Sequence, residues 1–195
     1  YSDIPDVEMV LMDPYKGYNA NYNDLKDTSA IFICVPSPQG DDGSCDTSIL
    51  EGVLDNLKNV GYNDVVISKV TAPPAVYSRL QLTHKNLVHA PEFLTAANAT
   101  VDYVNGEFSI IGGDVQTYRH YAETIIRLGQ RGLRNVVHCG IAEASLTKYS
   151  INCFLSTKVI FMNELYKLAN ELGCNYQSVA YMMKLDKRIG TSHMQ

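Results

Sequence analysis

Apolar and polar positions along the chain switch between two periods. Short runs with few polar residues, "VEMVLM" (7–12), "AIFICV" (30–35), "DVVISKV" (64–70), "NLVHA" (86–90), "FSIIG" (108–112) and "NVVHC" (135–139), predict strands. Several are rich in Val and Ile and apolar throughout, the pattern of strands buried on both faces. Helical spacing fills the gaps. Residues 46–60 carry Ile49, Leu50, Val53, Leu54 and Leu57, with Ser48 and Glu51 as a capping box and Gly61 as a stop. Residues 114–130 repeat the pattern behind Asp114, the expected N-cap. Strands and helices in alternation predict an α/β fold with a mostly parallel sheet covered on both faces.

The pattern changes at Ile141. No Gly or Pro interrupts the chain from there to Leu172, so a single helix of about 30 residues, roughly 45 Å, is expected. Another helix, around 175–184, follows Gly173. So long and apolar a helix needs more cover than one small domain supplies, which predicts subunit pairing along it. The division expected is 1–140 for the sheet domain and 141–195 for a helical dimerisation region.

Composition narrows the classes. The 195 residues are 46% hydrophobic and 19% charged, as in ordinary globular proteins. A net charge of −5 gives no electrostatic footprint for nucleic acid or an anionic membrane. No apolar run is long enough to span a bilayer as a helix. Five widely spread cysteines fit a reduced, cytoplasmic protein better than a disulfide framework, and five scattered histidines predict no metal site. The chain opens without Met just before a strand-like run and stops at "DKRIGTSHMQ" without a closing element, the pattern expected of an interior piece of a longer protein.

Candidate chemistry gathers at predicted strand ends. Asp13, directly after "VEMVLM", is either an Asp-Pro turn residue or an acid that binds the ribose hydroxyls of a dinucleotide. "FICVPSP" places Val35 to Pro38 at a strand exit, where they rim a cofactor crevice or simply form a rigid loop. "SKVTAPP" repeats the design, and Thr71 offers its hydroxyl to the crevice or to local backbone. "HAPEFL" adds Glu92 between Pro91 and Phe93, a general base or a solvated loop acid. On the long helix, Lys148 and Asn152 share a face at i and i+4, and Asn163 returns to nearly the same azimuth. An ammonium and an amide held together stabilise forming oxyanions; the alternative is a wet stripe on an amphipathic helix. Arg188 is a phosphate or carboxylate fork, or one of a surface basic cluster with Lys184 and Lys187.

Six stretches, in order, resemble the nucleotide-sugar 6-dehydrogenases that act on UDP-glucose and GDP-mannose: "VLMDPYKGY", "VPSPQGDDGSCDTSILE", "KVTAPP", "PEFL", "AEASLTKYSINCFLSTKVIFMNEL" and "DKRIG". The resemblance implies an incomplete Rossmann-like NAD-binding domain, without its first strand and Gly-rich turn, followed by the start of a central helical dimerisation domain. It implies two hydride transfers to NAD that turn the sugar C6 alcohol of a UDP-sugar, UDP-glucose by preference, into a carboxylate through a cysteine thioester, in nucleotide-sugar metabolism for polysaccharide biosynthesis. Carried over by position, Lys148 and Asn152 stabilise alkoxide and tetrahedral species, Glu92 is base or water-orienting partner, and Thr71 holds that water. Asp13, Lys16, Val35, Ser37 and Thr71 contact NAD. Phe93 and Leu94 contact the nucleotide sugar, and Arg188 reaches the substrate of a partner in a homodimer. The chain departs from the pattern at Ala96, where a second Glu is usual, at Ala75-Val76 for Gly-Thr, and at Phe108 for Arg; the catalytic cysteine segment lies outside it. Two other readings are a β-hydroxyacid dehydrogenase, which also spaces Lys and Asn by four, and a non-catalytic dimerisation piece.

Overall fold

The computed structural model describes residues 4–95 and 97–194. The chain divides into two compact units, Tyr1–Lys148 and Tyr149–Gln195. In the first, β1 (Met12–Asp13) and β2 (Tyr18–Asn19) form a small antiparallel ribbon, and α1 (Tyr22–Leu25) follows. A five-stranded sheet then takes β3 (Ala30–Ile33), β4 (Val65–Ser68), β5 (Leu87–His89), β6 (Phe108–Gly112) and β7 (Asn135–Cys139) in sequence order. The connecting helices are α2 (Ser48–Asn59), α3 (Pro74–Thr83), α4 (Ala99–Asn105) and α5 (Gln116–Gly129). Pairing is parallel except between β5 and β6, which meet antiparallel at one pair, His89 opposite Gly112. The expected α/β class with a mostly parallel sheet therefore holds.

Alternation along β4 sends its side chains to two cores. Val66 packs with Leu50, Leu54 and Leu57 of α2 and with Tyr77 and Leu80 of α3. Val65 and Ile67 pack with Ala122 and Ile126 of α5 and with Ile111 of β6. Helices thus cover both faces, which is why β4 is buried at all four positions.

Several local expectations are corrected. Of "VEMVLM", only Met12 enters a strand, and Met9, Val10 and Leu11 are exposed. Apolar composition does not make a strand without a neighbouring backbone edge to complete its hydrogen bonds. Asp13 accordingly lies on the small ribbon and not at the tip of a strand of the large sheet. Helix α2 starts from Thr47, not Ser48, and Thr47 Oγ1 donates to Glu51 Oε1 at 2.7 Å instead of capping a backbone N–H. The Ser48 N–H goes to Asp46 Oδ1 at 2.9 Å. Helix α5 begins after Val115, without a side-chain cap from Asp114. Gly61 does end α2. Its φ of +78° lets the Tyr62 N–H reach Leu57 O and its own N–H reach Lys58 O, a Schellman closure.

The long helix is present as α6 (Ile141–Glu171), 31 residues. Its start is fixed by Glu143, whose carboxylate accepts the Gly140 N–H at 2.7 Å. Gly112 allows β6 to approach that start: a Cβ there would lie 2.6 Å from Ala144 Cβ and 2.8 Å from Gly140 O. Gly112→Ala is expected to cost about 1–3 kcal/mol by overpacking. Urea unfolding of the variant checks this, and an unchanged midpoint refutes it.

In the second unit, the rest of α6 and helix α7 (Tyr176–Leu185) share a small core of Met162, Ala180 and Met194. Asn175 caps α7 by accepting the Ser178 N–H at 3.0 Å. Gly173, with φ of +64°, closes α6 as Gly61 closes α2, with the Cys174 N–H bonded to Ala169 O. Much of this unit's apolar surface is open: Phe154, Ile160, Phe161, Leu172 and Tyr181 are all exposed. No helix among the described residues is long and apolar enough to cross a membrane.

Candidate active site

Parallel pairing of β3, β4 and β5 lines up their carboxyl ends, so the loops carrying Ser37, Thr71 and Glu92 leave from one edge. Hydrogen bonds then tie the loops together. Ser37 Oγ donates to Thr71 O at 2.7 Å, and Cys45 Sγ lies 3.7 Å from the same oxygen. Ser145, fully buried on α6, donates to Ala72 O at 2.6 Å. One turn further along α6, Lys148 is delivered to the same edge.

Lys148 is 6% exposed, and its Nζ donates to Glu92 O and, at 3.1 Å, to Glu92 Oε1. Glu92 Oε2 accepts the Leu94 N–H at 2.6 Å. The Phe93 ring lies 5.3 Å from the Lys148 ammonium and packs on Phe108 with centroids 5.0 Å apart. Residues 56 apart in sequence thereby form one constellation. An ammonium has three protons; Glu92 engages two, and the third has no acceptor among the described residues. Glu92 is half-buried and holds both the cation and its own loop. Phe108, where the resembled family has Arg, backs the Phe93 ring.

Sequence reasoning missed two neighbours. Lys69, the residue after β4, is half-buried, and its ammonium lies 5.8 Å from the Tyr103 ring. Burial lowers its pKa to about 8, against the smaller opposing pull of Cys34 and Glu92. A lysine closing an otherwise apolar strand was the available signal. His89 is wholly buried at the end of β5. Its Nδ1 lies 3.1 Å from Ser68 O, an acceptor, so the proton sits on Nδ1 and Nε2 is a bare, buried lone pair.

Burial first, then the charges of Lys69 and Lys148, push the His89 pKa down to about 3, against the raising effect of its bond to Ser68. The sign follows from proton uptake. Above the unfolded value near 6.5 both states are neutral. Below it the unfolded chain binds a proton that the folded chain refuses, so stability falls by about 1.4 kcal/mol per pH unit down to the folded pKa. The slope of urea stability between pH 6 and 4 is expected to flatten by about that amount in His89→Phe; equal slopes refute it.

The remaining candidates are not all gathered there. Asp13 and Lys16 approach each other at 3.9 Å on the exposed ribbon. Val35 is half-buried at the exit of β3. Asn152, Asn163 and Arg188 belong to the second unit; all are exposed, and Arg188 forks onto Asp186 with Nη2 to Oδ2 at 2.6 Å. Ala96 lies outside the described residues. For a dinucleotide, the open groups that fit are the Asp13 carboxylate and the Thr71 hydroxyl, which makes no hydrogen bond among the described residues. No group of three or more metal-ligating side chains forms among them.

Comparison with known proteins converges on one set. Residues 9–128 match the NAD binding domain of the UDP-glucose/GDP-mannose dehydrogenase family, and residues 142–195 match its central domain. The UDP-glucose 6-dehydrogenase of Pseudomonas aeruginosa is 33% identical over 86% of this chain and 40% of its own length. That of Rickettsia bellii is 30% identical over 91% of this chain and 43% of its own. The solved UDP-glucose dehydrogenase of Pyrobaculum islandicum superposes with a TM-score of 0.79 at 25% identity, over 93% of this chain and 45% of that one. The chain spans less than half the length of these relatives.

Proposed function

The chain belongs to the UDP-glucose/GDP-mannose dehydrogenase family, and from that premise we propose that it is part of an NAD-dependent nucleotide-sugar 6-dehydrogenase acting on a UDP-sugar, UDP-glucose first. Its first unit carries the family's NAD-binding domain. The observation that carries the reading is the Lys148–Glu92 pair, an ammonium with a spare proton beside a carboxylate at the strand exits.

NAD, when bound, accepts the hydride from the sugar carbon. Everything else falls to side chains. Asp13, Lys16, Val35, Ser37 and Thr71 hold the cofactor. Lys148, with Asn152, stabilises the oxygen that becomes negative in the alkoxide and in the tetrahedral species on the way to the carboxylate. Glu92, held by the Leu94 N–H, takes the proton or orients a water, and the Thr71 hydroxyl holds that water. Phe93 and Leu94 face the nucleotide sugar. Arg188 serves a partner subunit, and the exposed apolar side chains of α6 and α7 favour a homodimer. The work belongs to the cytoplasm, where nucleotide sugars are made for polysaccharide biosynthesis.

The full protein is expected to form two NADH per UDP-glucose consumed. A ratio of one favours a β-hydroxyacid-type single oxidation, and no NADH with any nucleotide sugar abandons the proposal.

A further inference from the structure

Between the strand exits lies a buried polar cluster that no step above uses. Ser68, Tyr77 and His89 are each fully buried. Tyr77 Oη donates to Val70 O at 2.6 Å and shares a 2.7 Å hydrogen bond with Ser68 Oγ. Since the tyrosine proton goes to Val70, the serine proton goes to Tyr77. Ser68 Oγ in turn accepts the Val70 N–H at 3.3 Å. Both backbone groups of Val70, the residue before Thr71, are thus held by side chains. From β5 and its exit, His89 Nδ1 at 3.1 Å and the Ala90 N–H at 2.9 Å donate to Ser68 O. The His89 ring lies nearly parallel to that of Tyr77, with centroids 4.1 Å apart and planes 24° apart.

This cluster sits where the sheet's own ladder ends. The β4–β5 pairing stops at Ser68 and His89, and Thr71 and Glu92 lie three residues beyond. Past the last ladder rung, nothing in a parallel sheet sets the spacing of two diverging loops. Here side chains continue the ladder. An all-apolar cluster would pack the same volume without fixing directions, whereas these hydrogen bonds set the direction of the Val70 and Ser68 backbone groups.

We propose that Tyr77, Ser68 and His89 are positioning residues that fix the separation of Thr71 and Glu92, and through Glu92 the placement of the Lys148 ammonium. The proposal rests on the nucleotide-sugar dehydrogenase reading for its catalytic consequence, but its structural half does not. Tyr77→Phe deletes one hydroxyl and keeps the stacked ring. Ser68→Ala deletes the other end of the same bond.

The test is made on the full protein in two measurements. In hydrogen exchange, amides of residues 70–72 and 90–92 are expected to exchange about tenfold faster in Tyr77→Phe, with those of β6 and α5 unchanged. In steady-state kinetics, kcat with UDP-glucose is expected to fall about tenfold while the KM for NAD stays within twofold. Because the two hydroxyls share one bond and both hold Val70, Tyr77→Phe/Ser68→Ala is expected to lose less kcat than the product of the two single losses. Loss of stability with kcat and exchange at 70–72 and 90–92 unchanged overturns the proposal, as does multiplicative loss in the double variant. If the unaltered protein oxidises no nucleotide sugar while exchange accelerates as stated, the positioning stands and the functional reading fails.

Discussion

Lys148→Ala in the full protein is expected to lower kcat about a thousandfold and leave the KM for NAD within a few fold. Lys148 is the one side chain of the constellation that brings positive charge to the strand exits at bonding distance from Glu92. It is nearly inaccessible to water, so in the proposed role its charge would meet the developing oxyanion with little solvent between them. Removing an oxyanion donor in such a setting costs about 10²–10³ in kcat. A cation adds its full charge to the hydrogen bond, which places the expectation at the upper end. Lys148→Arg is not expected to rescue. The planar fork is wider than the ammonium, and the space is bounded by the Phe93 ring and the Glu92 carbonyl. NADH formation under saturating substrate measures the effect, and circular dichroism confirms that the variant folds. Turnover within tenfold of the unaltered protein, with the dimer intact, would leave α6 as a pairing surface alone and favour the scaffold reading.

Much of this arrangement was legible in the sequence because it is periodic or local. The strands β4, β6 and β7 and the helices α2, α5 and α6 announce themselves through their apolar runs and spacing. Helix α3 is not legible in the sequence because Pro73-Pro74 reads as a loop, although Pro at the first turn starts a helix as readily as it ends a strand. "VEMVLM" misled because its composition suits a strand while strand formation depends on a neighbour. The pairing of Glu92 with Lys148 could not come from spacing, since 56 residues separate them. The six-motif resemblance placed both residues in one site, and the register of β4 on β5 with the Ser145 bond to Ala72 brings them together. Lys69 and His89 escaped notice because a single polar residue in an apolar strand looks like noise until its partners are known.

Glu92→Gln is the complementary change, expected to lower kcat by about 10²–10³. Glutamine keeps the volume and loses the charge. It also breaks the local hydrogen-bond logic, because both carboxylate oxygens accept: Oε1 from Lys148 and Oε2 from the Leu94 N–H. An amide offers one oxygen and one NH2, so one of the two donors must face another donor. Either Lys148 loses its side-chain partner or the 93–95 loop loses its anchor. The proton-accepting role proposed for Glu92 would disappear in both cases. Because the two side chains act as a unit, the effects are not expected to multiply. The double variant Lys148→Ala/Glu92→Gln is expected to be about as slow as the slower single variant, since either change alone already dismantles the pair. Full multiplication of the two losses, to about 10⁵ or more, would mean independent contributions, and the bond between them would then be a feature of the resting protein with no part in turnover.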